Sequence, residues 1–204
     1  MAETGLALHG GSAAVTIEEP DTWRPFDTAE VDTVTEMAGN AELSGSGTGV
    51  TRSFEQAFAD YTGRRYALSQ MNGTSTLWAA YFATGVGPGD EVIHPTYSWI
   101  GAVMPAVWLG ARPVFCDIDP NTLTADPADI ERRITNRTRA ISVVHLWGNP
   151  ADMEGILEIS TKYGIPVIED CSHAHGAEWD GIKVGAVGDV GCFSFAGEGQ
   201  GAMS

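Results

Sequence analysis

Four short stretches of this chain combine residue types that can do chemistry. Asn72-Gly73-Thr74-Ser75 stands between a strand-like run and an apolar helix. A glycine there permits close approach, the amides that follow point outward, and the helix dipole favours an anion. The same residues would also serve as an ordinary N-cap through Thr74 or Ser75. Trp99 follows the second stretch, His94-Pro-Thr-Tyr-Ser, and is either a core aromatic or a flat wall for a heteroaromatic ring. His145-Leu-Trp-Gly148 is the third. In the fourth, Asp170 ends the apolar run IPVIED. A carboxylate buried there without a partner costs roughly several kcal/mol, so it needs a hydrogen-bonding or cationic partner. A protonated ring nitrogen would serve; the plainer alternative is a strand-end acid exposed at the rim. His173 and His175 look like a short metal-ligand pair, but no third ligand stands at a convincing spacing. Asp117 and Asp119 alternate onto one strand face and read as solvated loop-entry residues.

The elements that must position these residues alternate along the chain. The patterns predict strands over 65–70, 91–94, 111–119, 139–148 and 165–170, and a last buried one over 192–195. Between them lie helices over 77–84, around 99–109, after the N-cap pair Asp126-Pro127, and over MEGILEISTKY, which Gly164 closes. Ahead of these, Asp27-Thr-Ala-Glu30 starts a short helix ending near Gly39-Asn40. Phe54, Phe58 and Tyr61 recur at helical spacing before Gly63. LSGSGTG (43–49) is a glycine loop, and without a preceding strand or a following GK[ST] it is no nucleotide P-loop. The alternation predicts an α/β fold with a mostly parallel central sheet over 27–204, behind an N-terminal arm of residues 1–26. In such sheets ligands bind outside the carboxyl ends of the strands, where the four stretches fall.

Composition narrows the function classes. A net charge of −16 and a pI near 4.4 exclude the basic footprint that nucleic acid or an anionic membrane requires. The amino terminus has neither a basic region nor a sustained apolar run, so no signal peptide or membrane span is expected there. Cys116, Cys171 and Cys192 show no CxxC spacing and sit in apolar strands, as buried reduced thiols of a cytoplasmic protein do. The only lysines are Lys162 and Lys183.

An anion cradle, an aromatic wall and a strand-end carboxylate are the parts of a pyridoxal phosphate site. With the motifs YALSQMNGTSTL, GPGDEVIHPTYSWIG, ARPVFCDID, HLWGNPADM, IPVIEDCSHAHGA and KVGAVGDVGCFSF followed by GEGQGAM, the chain resembles the DegT/DnrJ/EryC1/StrS aminotransferases from about Val15 onward. These are fold-type-I enzymes that aminate keto-sugars and keto-cyclitols. The resemblance implies a three-layer large domain and pyridoxal 5'-phosphate or pyridoxamine phosphate as cofactor. It implies that the backbone of Gly73, Thr74 and Ser75 holds the phosphate, with the Ser194 hydroxyl. Trp99 would stack on the pyridine, Asp170 would pair with its nitrogen, and His173 would lie near its phenolic oxygen. The HAHG form is similar to the cyclitol members, which points to a keto-inositol acceptor, a glutamine or glutamate donor and a homodimer.

The resemblance also implies a loss. In the family a segment carrying the Schiff-base lysine separates CFSF from GEG, whereas here Ala196-Gly197-Glu198-Gly199 follows Phe195 at once. Lys162 reads as a solvated helix residue and Lys183 as a hairpin residue, so no catalytic residue is assigned. Family members are about twice this length, with a C-terminal domain over the site. The expectation is therefore an aminotransferase of the keto-sugar or keto-cyclitol type. The alternative is a noncatalytic cofactor-binding homologue or a decayed gene fragment.

Overall fold

The computed structural model describes residues 7, 11–12, 27–42 and 49–195. The expected arm, apart from three of its residues, lies outside them, as do most of the glycine loop and the Ala196–Ser204 tail. Asp27 opens α1 (Thr28–Gly39) by the reciprocal box the sequence suggested: its carboxylate takes the Glu30 N–H, and Glu30 reaches back to the Asp27 N–H. No residue of α1 is buried. Helix α2 (Gly49–Thr62) ends at Gly63, whose φ of 74° needs a residue without a Cβ. Its Phe58 meets Phe193 edge-on, with centroids 4.9 Å apart.

Residues 65–70 depart from expectation. They are irregular, and Tyr66, Leu68 and Met71 are all well exposed. A strand-like pattern becomes a strand only where a neighbouring backbone offers a ladder. Here the segment instead lines an apolar groove together with Val190 and Phe193, and no described strand pairs with it.

Helix α3 (Gly73–Ala83) leads into β1 (Glu91–Pro95), α4 (Ile100–Trp108) and β2 (Arg112–Cys116). Helix α5 (Pro127–Arg133), β3 (Thr138–Val144), α6 (Met153–Tyr163) and β4 (Val167–Asp170) follow. A two-residue hairpin, β5 (Glu178–Trp179) with β6 (Ile182–Lys183), precedes β7 (Val190–Cys192). The main sheet runs β2-β1-β3-β4-β7, every pairing parallel. The last expected strand is shorter than its pattern, because its final rung sets Cys192 against Asp170, the end of β4.

The period of two along the strands divides the core into two layers. Ile93, Ile141 and Val167 face Ile130 of α5 and Met153, Ile156 and Ile159 of α6. Val92, Ala140, Ile168 and Cys192 face Leu77 and Tyr81 of α3 and Ala102 and Ala106 of α4. Helices on both faces of a parallel sheet make the three layers expected. At the amino end of β1, buried Glu91 takes hydrogen bonds from Thr135, Arg112 and Arg137. These overcome its burial and hold its carboxyl at about 2. The three thiols are free and buried, as expected.

Candidate active site

The carboxyl ends of β1, β3, β4 and β7 converge on the amino end of α3. Six of the seven residues expected at the site line one pocket there: Gly73, Thr74, Trp99, Asp170, His173 and Ser194. Ser75 does not. Its N–H donates to Asn72 Oδ1 at 2.8 Å, its hydroxyl donates to the Asn72 carbonyl, and the Asn72 N–H donates to its Oγ. Ser75 and Asn72 thus form the cap that fixes where the helix begins, and the N–H groups of Gly73 and Thr74 head it.

Two glycines make the pocket possible. A Cβ on Gly73 would lie 2.6 Å from Ser194 Cβ, so only glycine lets the end of β7 close against the helix amino terminus. A Cβ on Gly101 would lie 2.6 Å from Trp99 Nε1 and 3.0 Å from Thr74 Oγ1, so the indole folds back over the first turn of α4. Trp99 is 70% exposed and lines the pocket, which excludes the core alternative.

Asp170 is only 5% exposed, which removes the rim alternative. Burial raises its pKa, against the hydrogen bonds from Ser172, whose N–H reaches Asp170 Oδ1 at 3.0 Å. Among the described residues, the pocket wall carries no lysine or arginine. His173 lends the pocket a buried Nδ1 without a hydrogen-bond partner among the described residues. His175 points elsewhere: its ring lies 4.9 Å from that of Phe195, and burial lowers its pKa. Neither histidine belongs to the cluster of potential metal ligands found among the described residues.

Lys162 pairs with Glu131 at 2.7 Å, and Lys183 with Glu178 at 3.3 Å. Neither lines the pocket.

Two supporting networks escaped the sequence reading. Glu169 faces away from Asp170 into the other core layer. Its carboxylate accepts the N–H groups of Gly185, Val187 and Gly188 at 2.8, 3.0 and 2.6 Å and that of His145 Nε2 at 3.0 Å. The Ala151 N–H donates to His145 Nδ1, which fixes the proton on Nε2. Arg64 donates to the carbonyls of Gly185 and Gly188, so the 185–188 loop is gripped through both kinds of backbone group. Burial works against the Glu169 charge, but the His145 bond and the backbone N–H groups outweigh it and lower the pKa. Potential ligand atoms of His145, Glu169 and Cys171 lie within 4.8 Å of one another. The histidine and carboxylate are already engaged in hydrogen bonds and burial raises the thiol pKa, so in this structure the group acts as a clamp on the loop.

The second network runs beneath the pocket. Tyr81 Oη lies 3.0 Å from Ser142 Oγ, which lies 3.1 Å from His94 Nδ1. His94 Nε2 lies 3.1 Å from Ser98 Oγ, whose hydroxyl donates to the Trp99 carbonyl. Burial depresses the His94 pKa to about 3, so the imidazole is neutral and this polar thread fixes the backbone that carries Trp99. Two acids ending an apolar strand, and the glycine-rich run at 185–191, are the sequence signals that could have pointed to the clamp.

A sequence profile of the DegT/DnrJ/EryC1/StrS aminotransferase family matches residues 26–200. The chain belongs to this family. An L-glutamine:2-deoxy-scyllo-inosose aminotransferase of Streptomyces fradiae is 42% identical over 194 residues, covering 93% of this chain and 46% of the relative. Among solved structures, 3-amino-5-hydroxybenzoic acid synthase superimposes with a TM-score of 0.81 at 37% identity, over 85% of this chain and 45% of that one. The PMP form of Spr1654 from Streptococcus pneumoniae, a candidate sugar aminotransferase, gives 0.76 at 27% identity, over 84% and 47%. This DegT/DnrJ/EryC1/StrS member spans about half the length of the relatives it matches.

Proposed function

We propose that this chain builds the cofactor-holding face of a pyridoxal phosphate-dependent aminotransferase that transfers an amino group from glutamine or glutamate to a keto-sugar or keto-cyclitol. One observation carries the reading: Asp170, a buried acid with no lysine or arginine beside it among the described residues, shares a pocket with the amino terminus of α3. A phosphorylated pyridinium brings an anion for the helix and a cation for the acid. When bound, this cofactor supplies an electron sink for proton and amino-group movement.

The roles of this chain's residues follow from their surroundings. The N–H groups of Gly73 and Thr74 and the Ser194 hydroxyl hold the phosphate, and the Ser75–Asn72 cap keeps that helix start in place. Trp99 offers its face to the ring and excludes water on that side. Asp170 holds a proton on the ring nitrogen. His173, whose Nδ1 has no hydrogen-bond partner among the described residues, would lie near the phenolic oxygen. The resemblance supports a homodimer with shared sites, and the buried thiols support a cytoplasmic location.

A second reading is favoured by the lysines, neither of which lines the pocket: the chain holds pyridoxamine phosphate or pyridoxal phosphate by noncovalent contacts and performs no turnover. Titration with both cofactor forms, followed by borohydride reduction and intact-mass measurement, separates these readings. The expected result is stoichiometric binding without a reduced covalent adduct. An adduct overturns noncovalent retention, and failure to bind either form overturns the cofactor reading altogether. Amination of scyllo-inosose with glutamine as donor supports the enzyme; binding without amination supports the noncatalytic holder.

A further inference from the structure

We propose that His94, the buried penultimate residue of β1, is a positioning residue for the cofactor ring: through Ser98 it sets the orientation of Trp99. The inference rests on the cofactor reading above.

The choice of residue at position 94 is the starting point. All five residues of β1 are buried, and a valine or isoleucine at 94 would continue the apolar run Val92-Ile93. An imidazole there, 1% exposed, gives up its hydration, and hydrogen bonds that replace those to water add little net stability. What a fully satisfied buried network does add is a unique geometry. Burial keeps the ring neutral, so it carries one donor and one acceptor nitrogen. Both are used by hydroxyls. Nδ1 meets Ser142 of β3, which is backed by Tyr81 of α3, and Nε2 meets Ser98, four residues further along the chain. The ring thus ties the middle of the sheet and α3 to the loop before α4.

That loop needs a tie from within. Trp99 is exposed, so core packing does not fix its indole, and it opens α4 without a side-chain cap. Its carbonyl accepts the Ala102 N–H at 2.9 Å and the Ser98 hydroxyl at 3.3 Å. Among the described residues, the Ser98 hydroxyl is the side-chain group bonded to the Trp99 backbone, and His94 holds that hydroxyl at 3.1 Å. Ser98 and Trp99 both line the pocket that contains Asp170. A change at His94 is therefore delivered to the pocket wall. The attraction between stacked rings depends on their offset and tilt, so a displaced indole holds a ring less well.

The test measures pyridoxamine phosphate affinity by calorimetry, together with the Trp99 band in near-ultraviolet circular dichroism of cofactor-free protein, taken as the difference between each protein and its Trp99→Ala counterpart. His94→Val and Ser98→Ala should each weaken pyridoxamine phosphate binding about three- to tenfold and shrink the Trp99 band, and Ser98→Thr should keep most of both. In a Trp99→Ala background neither substitution should change affinity by more than about twofold, because no indole is left to place. A purely structural role predicts the same loss of affinity with or without Trp99. Ser98 is a half-buried loop residue, so Ser98→Ala decides the matter if His94→Val does not fold. A full loss in the Trp99→Ala background, or an unchanged Trp99 band with undiminished affinity in Ser98→Ala, overturns the proposal. Failure of the parent to bind pyridoxamine phosphate overturns the cofactor reading instead, and the Trp99 band, read without cofactor, still tests the tie from His94 to the indole.

Discussion

Replacing Asp170 by asparagine should make the cofactor-free protein more stable while weakening its hold on the cofactor. The side chain is nearly inaccessible, and among the described residues its charge is offset chiefly by the hydrogen bonds from Ser172. Asparagine has the same shape and keeps an oxygen for the Ser172 N–H, but removes the cost of burying a charge. A gain of about 1–3 kcal/mol at neutral pH is expected. The pH dependence has a definite sign. A carboxyl whose folded-state pKa is raised contributes stability that is complete below the ordinary aspartate range and lost as pH rises through the raised value. Urea unfolding of cofactor-free parent and variant from about pH 4 to pH 8 should therefore give curves that meet at the acid end and diverge toward neutrality. With pyridoxamine phosphate present the order should reverse, since losing the ring-nitrogen contact costs about tenfold in affinity for each 1.4 kcal/mol forfeited. A variant less stable than the parent without cofactor at pH 7, or one that binds the cofactor equally well, would refute the reasoning.

Other substitutions probe the supports. Glu169→Ala leaves three loop N–H groups and His145 Nε2 without their acceptor and should cost about 3–5 kcal/mol in chemical denaturation. Because the Glu169 pKa is lowered, its contribution is present above the ordinary glutamate range and lost in acid, so Glu169→Gln should flatten the acid limb of the stability profile. Gly73→Ala improves helix propensity, but its methyl would sit 2.6 Å from Ser194 Cβ. A loss of about 1–3 kcal/mol and weaker phosphate binding are expected, and a net gain in thermal stability would show that β7 yields easily. Glu91, held at about 2, should support the fold above its ordinary range and lose that support as pH falls toward 2; Glu91→Gln should be less stable at neutral pH and less sensitive to acid in the same assay.

What the sequence made legible was local. The Asp27 cap, the Gly63 and Gly164 helix ends and the alternation of strands with helices all depend on residues a few positions apart, whereas the cap of α3 is Asn72 and not the Thr74 or Ser75 expected. Trp99 and Asp170 were legible for a related reason, since residues at strand ends in an alternating fold can be placed without knowing what they touch. The failures were nonlocal. Residues 65–70 have a strand's composition, but whether they pair depends on a neighbour that composition does not reveal. Glu169 looked like one more strand-end acid because its partners lie from sixteen to twenty-four positions away. The Tyr81–Ser142–His94–Ser98 thread joins three elements that meet only once the sheet has formed. Ser75 shows a subtler limit: its motif was legible, but the cap engages its N–H and hydroxyl.

The two acids that close β4 face opposite sides of one sheet, and this gives the strand a chemical address. Sliding β4 by a single residue would aim the Glu169 carboxylate at the pocket and turn Asp170 toward the 185–188 loop with a shorter arm. The shifted chain would lose the grip on its loop and misplace the acid in its pocket in the same event. An aliphatic strand in this position could settle one residue out of place at modest cost, but this one cannot. Single-residue insertions or deletions between Ile165 and Asp170 should therefore abolish folding and ligand binding together, whereas the same changes in the exposed hairpin turn at Asp180-Gly181 should leave both intact.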